Sequence, residues 1–136
     1  MTRSSNRPTA AGPPAIDVTA TARPPAIDVA AAILVFGGLF GAGQLVVGDF
    51  AVTGSLPAQV PIIGVAVFLN GASVVLGFLI RNGRGWLPAL SLAALFAVLY
   101  LAAMARPLNL VLGVAHLGAA AILLADHRWF AERAPR

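Results

Sequence analysis

A chain of 136 residues that is 59% hydrophobic and only 10% charged, with a mean hydropathy of +0.87, is not composed like a water-soluble domain. Such domains are nearer 25% charged, and a surface of that size is not covered by so few ionised groups. All nine basic residues are Arg, a usage that with the Ala, Gly, Val, Pro and Leu content points to GC-rich bacterial coding. Cysteine is absent, which excludes disulfides, CxxC redox chemistry, thiolate metal sites and a Cys nucleophile. The pI near 11.5 does not indicate nucleic acid, because the Arg residues stand singly at the ends of apolar runs and form no basic stripe.

Residues 1–25 are rich in Pro, Ser, Thr and Ala, with Arg3, Arg7 and Arg23 and almost no bulky apolar side chains. Such a segment buries too little to offset the entropy of ordering, so a disordered cytoplasmic N-terminal arm is expected. It uses one hexapeptide twice, PPAIDV at 13–18 and again at 24–29. The first copy runs into TATA, too polar and too short to span a bilayer, and the second runs into AAAILVFGG, which enters one. Pro24 and Pro25 suit a helix start, and Asp28 suits the positive pole of a helix N-terminus. An 11-residue unit present only twice is too little for a solenoid, so the pair reads as one membrane-entry signal and a local duplication.

Four charge-free apolar runs follow, at 30–48, 59–80, 86–105 and 107–125. About twenty residues at 1.5 Å each cross a hydrocarbon core roughly 30 Å thick, so each run is expected to be a transmembrane helix. A secretory signal is the competing reading of the first run, but its apolar part is usually about 7–15 residues and lies nearer the chain start. The links are 49–58, RNGRG at 81–85 and the pair Arg106 and Pro107, and helices joined so closely pack as antiparallel neighbours. A cytoplasmic N-terminus puts Arg3, Arg7, Arg23, Arg81, Arg84, Arg128, Arg133 and Arg136 on one side and leaves Arg106 alone on the other. The positive-inside bias then fixes both termini inside. Trp86 and Trp129 fall at the same interface, Phe50 at the opposite one, and Pro61, Pro88 and Pro107 in the first turns of their helices.

The expected fold is therefore all-α: four transmembrane helices in an antiparallel up-down bundle, N-in/C-in, multi-pass in the cytoplasmic membrane. The bundle occupies 26–126 and a basic cytoplasmic tail occupies 127–136. A weak similarity between GASVVLGFLIR at 71–81 and GAAAILLADHR at 118–128 fits a duplicated hairpin or shared composition alike.

In lipid, each polar side chain must find a partner or face water, so Gln44, Asn70, Ser73, Ser91, Tyr100, Asn109 and His116 are the informative residues. Counting along helices puts His116 and Asn70 near the midplane, about 14 and 17 Å from the outer ends of their spans. Gln44 and Tyr100 come out about 21 Å from the cytoplasmic ends, on a second, more external level. Helical spacing aligns Asn109, Gly113, His116 and Ala120 on one face, Ala66, Asn70, Ser73 and Gly77 on another, and Gly37, Gly41, Gln44 and Gly48 on a third. Each is a stripe of small residues holding one or two polar side chains, the composition of a close helix contact in a membrane, and Gly37 and Gly41 form a GxxxG packing motif. The first expectation is that Asn70 and His116 hydrogen-bond across such a contact. The alternative makes His116 a proton-relay or ligand-binding residue, although no Asp, Glu, Lys or Arg lies in any span to exchange a proton with it.

No catalytic, cofactor or metal site is expected. His127 lies three turns from His116, so the two do not form a bis-imidazole pair, and no HExxH, acidic dyad, Ser elbow or phosphate loop is present. The chain is expected to be no enzyme but a non-enzymatic helix-packing or accessory membrane component. Its expected partners are the lipid bilayer and either a second copy or an unidentified membrane subunit, with no nucleic acid. The alternative is a small-solute or ion permease acting as an oligomer.

RPPAIDVAAAILVFGG at 23–38, RNGRGW at 81–86 and HRWF at 127–130 resemble the small uncharacterised four-helix integral membrane proteins of actinobacteria. That resemblance implies a membrane location and no particular activity or functional residue. GGLFGA at 37–42 and Asn70 are similar to features of the fluoride channels, but Leu45 stands where those carry an Arg and SLAALFAVLYLA at 91–102 lacks their third-helix break. The small multidrug transporters carry a Glu in their first helix, and the first span here has none.

Overall fold

Pro24 and Pro25 set the first helical turn, with the Ile27 N–H donating to the Pro24 carbonyl at 3.0 Å. From there the computed structural model is helical almost without break; it describes residues 22–46 and 56–133. The elements are α1 (Pro25–Val46), α2 (Leu56–Arg81), α3 (Trp86–Ala102), α4 (Pro107–Ala125) and the short α5 (His127–Ala131), with no strand among the described residues. The expected disorder of the arm, Phe50, most of the first link and the last three tail residues lie outside the described residues.

Three helices are long and apolar enough to cross a membrane, over Pro25–Leu45, Val60–Arg81 and Pro107–Ala125. The fourth apolar helix, α3, has 17 residues, at the lower limit of roughly 17–25 for a span. The sequence expectation ran α3 on to residue 105, but the helix stops at Ala102. Pro107 disfavours helical geometry in the residue before it, and Arg106 is extended, at φ −99° and ψ 125°. The Ala103 carbonyl instead accepts from the Asn109 amide at 2.9 Å, which closes the α3–α4 turn.

The first helix starts at Pro25, where the proline pair and Asp28 were expected to start it, and the partly exposed Asp28 carboxylate pairs with Arg23 and Arg81. One other boundary differs from expectation, that of the second helix. The second starts at Leu56, so Pro61 lies inside the helix and not in its first turn. A proline there removes one helical hydrogen bond, which costs little only at a helix start.

The α2–α3 connection is a glycine-dependent C-cap. Gly83 sits at φ +72°; its N–H donates to the Ile80 carbonyl and the Arg84 N–H reaches back to the Leu79 carbonyl, both at 3.0 Å. That is the bonding pattern of a Schellman motif, which needs a left-handed residue where this chain has Gly83. Gly85, also left-handed at φ +70°, starts α3.

Helix contacts run in opposite senses along each hairpin. On α1, Ala31 and Val35 pack at Gly77 of α2 while Gly41, further on, packs at the earlier Asn70. On α3, Trp86 donates its indole N–H to the Leu123 carbonyl at 2.7 Å, while the later Leu101 packs at the earlier Gly113 of α4. The buried apolar core gathers Ile27 and Leu34 from α1, Ile80 from α2, Ala89 and Ala93 from α3, Ala119 and Leu123 from α4, and Phe130 from α5. The expected basic tail thus begins with a packed helix, whose Phe130 belongs to the core.

Around that core the large apolar side chains face outward: Phe36, Phe68, Val98 and Val111 are 69%, 72%, 65% and 63% exposed. An interior of alanine and one or two large residues per helix, inside a shell of exposed Phe, Val and Leu, inverts the arrangement of a water-soluble bundle and suits lipid.

Candidate functional site

The buried polar side chains, Asn70, Ser73 and His116, converge on the inward face of α1. Ser73, fully buried, donates its hydroxyl to the Leu34 carbonyl of α1 at 2.8 Å. This is a bond between helices from a side chain small enough to let the two backbones close up. Asn70 donates from Nδ2 to the Ala66 carbonyl one turn earlier in its own helix, at 2.8 Å. His116 likewise bonds its own helix, Nδ1 lying 2.8 Å from the Leu112 carbonyl. A carbonyl oxygen only accepts, so Nδ1 carries the hydrogen and Nε2 of the neutral ring is an acceptor.

The expected hydrogen bond between Asn70 and His116 is not formed; each spends its donor on its own backbone. Their remaining acceptors, Asn70 Oδ1 and His116 Nε2, are buried without a hydrogen-bond partner. What faces them is the GxxxG motif. A Cβ added at Gly37 would lie 2.5 Å from Cε1 and 2.6 Å from Nε2 of His116, and one added at Gly41 would collide with Asn70 Oδ1. The glycine hydrogen that takes the place of that Cβ points at the Asn70 oxygen, the arrangement of a weak Cα–H···O contact worth about 0.5–1 kcal/mol.

On its other side His116 meets an aromatic pair from α3. Phe96 stands edge-on at 5.3 Å between ring centroids, and Tyr100 lies tilted at 5.5 Å. The separate outer level expected for Tyr100 therefore merges with that of His116. Helical side chains lean toward the N-terminus of their own helix, and because the α3 and α4 contacts run in opposite senses the two rings lean toward each other. Gln44 lines an apolar groove of about 1000 Å³ between α1 and α4, together with Phe36, Phe40, Leu108, Leu112 and His116. Asn109 does not join the cluster, since it closes the α3–α4 turn.

Gly77 and Gly113 are both contact glycines: a Cβ at the first would meet Val35 at 2.6 Å, and one at the second Leu101 at 2.7 Å. Gly48 lies outside the described residues. Two participants escaped the sequence reading. Gly38 approaches the Asn70 carbonyl so closely that a Cβ would lie 2.6 Å from it, and the GG pair at 37–38 was the available signal. Phe96 was signalled by standing one helical turn before Tyr100.

Among the described residues no group of three His, Asp or Glu side chains stands together to hold a metal ion. The arrangement is a tight polar contact buried among four helices, sealed by glycine on one side and aromatic rings on the other. No protein family, curated protein or solved structure matches the chain.

Proposed function

We propose that this chain is a non-enzymatic, multi-pass protein of the cytoplasmic membrane, an antiparallel up-down bundle with both termini on the cytoplasmic side, whose work is to pack with a second copy or another membrane subunit. The observation that carries the reading is how the intramembrane polar groups are used. Ser73 links two helices, and Asn70 and His116 are buried against Gly41 and Gly37 with their donors spent on their own helices. Groups packed in this way serve the fit between helices.

The orientation rests on charge. Arg23, Arg81, Arg84, Arg128 and Arg133 belong to one end of the described structure, where Arg23 touches the Arg81 carbonyl and Gly83 approaches Arg133. Arg106 is the basic residue of the opposite link. The test is purification of the full chain in mild detergent with mass measurement of the intact particle. A homo-oligomer or a stoichiometric second subunit is expected; a lone monomer at all protein concentrations overturns the packing role.

The α1–α4 groove, with Gln44 and His116 in its lining, favours a second reading as an oligomeric small-solute permease. Proteoliposomes that release an encapsulated solute faster than protein-free vesicles would establish that reading in place of the first.

A further inference from the structure

The five basic side chains at the proposed cytoplasmic end are not used alike. Arg23 and Arg81 both pair with Asp28, at 3.1 and 3.0 Å, and Arg133 stacks on Trp129 with its guanidinium 4.2 Å from the ring centre. Arg84 and Arg128 are exposed, and neither forms an ion pair or a hydrogen bond through its side chain among the described residues; only Arg84 lines a recess. Arg84 stands on the Schellman turn, which fixes its backbone between two left-handed glycines, Gly83 and Gly85.

Arg84 lines a recess of about 490 Å³ whose other walls include Trp86, Leu87, Pro88, His127 and Phe130. His127 lies in the wall with Nδ1 3.0 Å from the Leu124 carbonyl; a neutral ring held this way has no second N–H to offer an anion, so the guanidinium is the donor of the recess. Leu87 and Pro88 are shared with a second recess of about 570 Å³ between α2 and α3, walled by Phe68, Leu69, Leu92 and Leu95. The two recesses are therefore neighbours across Leu87 and Pro88, with a guanidinium where the helices end and an apolar recess beside it. A partnerless Arg is the side chain suited to bidentate phosphate recognition, and the neighbouring apolar recess suits an acyl chain and not a free anion.

We infer that the Arg84 recess binds the phosphate of an anionic phospholipid whose acyl chain lies in the α2–α3 seam. The assignment rests on the membrane reading proposed above, and one preparation tests the two separately. The full chain carrying Trp129→Phe, so that Trp86 is the sole reporter, is placed in phosphatidylcholine vesicles and titrated with phosphatidylglycerol bearing brominated chains. Brominated phosphatidylcholine provides the neutral comparison.

Half-quenching of Trp86 is expected at about fivefold less phosphatidylglycerol than brominated phosphatidylcholine, the effect of one Arg near the membrane surface. Arg84→Gln removes that preference and Arg84→Lys keeps only part of it, while Arg106→Gln leaves it intact, and circular dichroism shows that each variant is folded. Equal quenching by the two lipids, or an undiminished preference in Arg84→Gln, overturns the site. Relief of quenching by millimolar inorganic phosphate overturns the lipid assignment in favour of a free-anion site. Alkaline carbonate extraction reads the other premise: a chain that stays with the membrane but shows no lipid preference overturns the site alone. Release into the supernatant overturns the membrane reading as well.

Discussion

The α1–α2 and α3–α4 hairpins are built from similar apolar alphabets and hold together in different ways. Between α1 and α2 the contact is backbone on backbone: Gly38 lies against the Asn70 carbonyl, Gly77 against the Ala31 carbonyl, and the Ser73 hydroxyl donates to the Leu34 carbonyl. Between α3 and α4 large side chains fill the space, with Leu101 over Gly113, Phe96 and Tyr100 on His116, and the Trp86 indole bonded to the Leu123 carbonyl. Backbone contacts are stiff because a carbonyl cannot rotate away. Side-chain contacts yield, since a Leu or an aromatic ring has other rotamers. The first hairpin is thus the more brittle and the second the more forgiving.

Gly38→Ala is the sharpest way to break that contrast. Its methyl would meet a backbone oxygen at 2.6 Å and the Val74 and Ser73 side chains at 3.0 and 3.1 Å, so a loss of about 2–3 kcal/mol is expected, at the upper end of overpacking costs. Helicity followed through denaturation in mixed micelles measures it. Gly113→Ala makes the matching change in the other hairpin and meets the Leu101 side chain at 2.7 Å, with the Leu101 backbone nitrogen further off at 3.1 Å. About 1 kcal/mol is expected from the same assay; a loss as large as that of Gly38→Ala would erase the distinction between the hairpins.

Gly43→Ala serves as the control, because nothing stands within 4 Å of its added methyl. A gain of about 0.5–1 kcal/mol from helix propensity is expected. Ser73→Ala removes the α1–α2 hydrogen bond and should cost about 0.6 kcal/mol, the average for such bonds in membrane bundles. A double-mutant cycle with Gly38→Ala would show whether bond and close approach act as one. The smallest change is Asp28→Asn: its carboxylate pairs with Arg23 and Arg81 but is 41% exposed. A few tenths of a kcal/mol is expected, lower at high salt, as for other solvent-facing pairs.

Much of the helical frame could be read from the sequence, because apolar length and breaker residues act locally. The span of α4, the Pro107 start and the contact roles of Gly37, Gly41, Gly77 and Gly113 follow from spacing alone. What spacing did not reveal has non-local causes. Asp28 is tolerated at the foot of α1 because Arg81 arrives from α2, and 127–131 packs because the bundle offers Phe130 a place in its core. Tyr100 joined His116 because two helices with opposed contacts aim their side chains at a common level, which counting along one helix does not reveal.

The sequence by itself determined where the helices lie and that their exterior is apolar, since composition and period are properties of one segment. It also determined that the first, second and fourth spans each bring a small-residue stripe with one or two polar side chains. Which groups meet was decided only in three dimensions. In mid-helix Asn70 and His116 each have the carbonyl four residues back within reach, so their donors are satisfied at home. What remains is an acceptor, and the helix beside it decides the rest: for Asn70 and His116 that neighbour is the glycine face of α1.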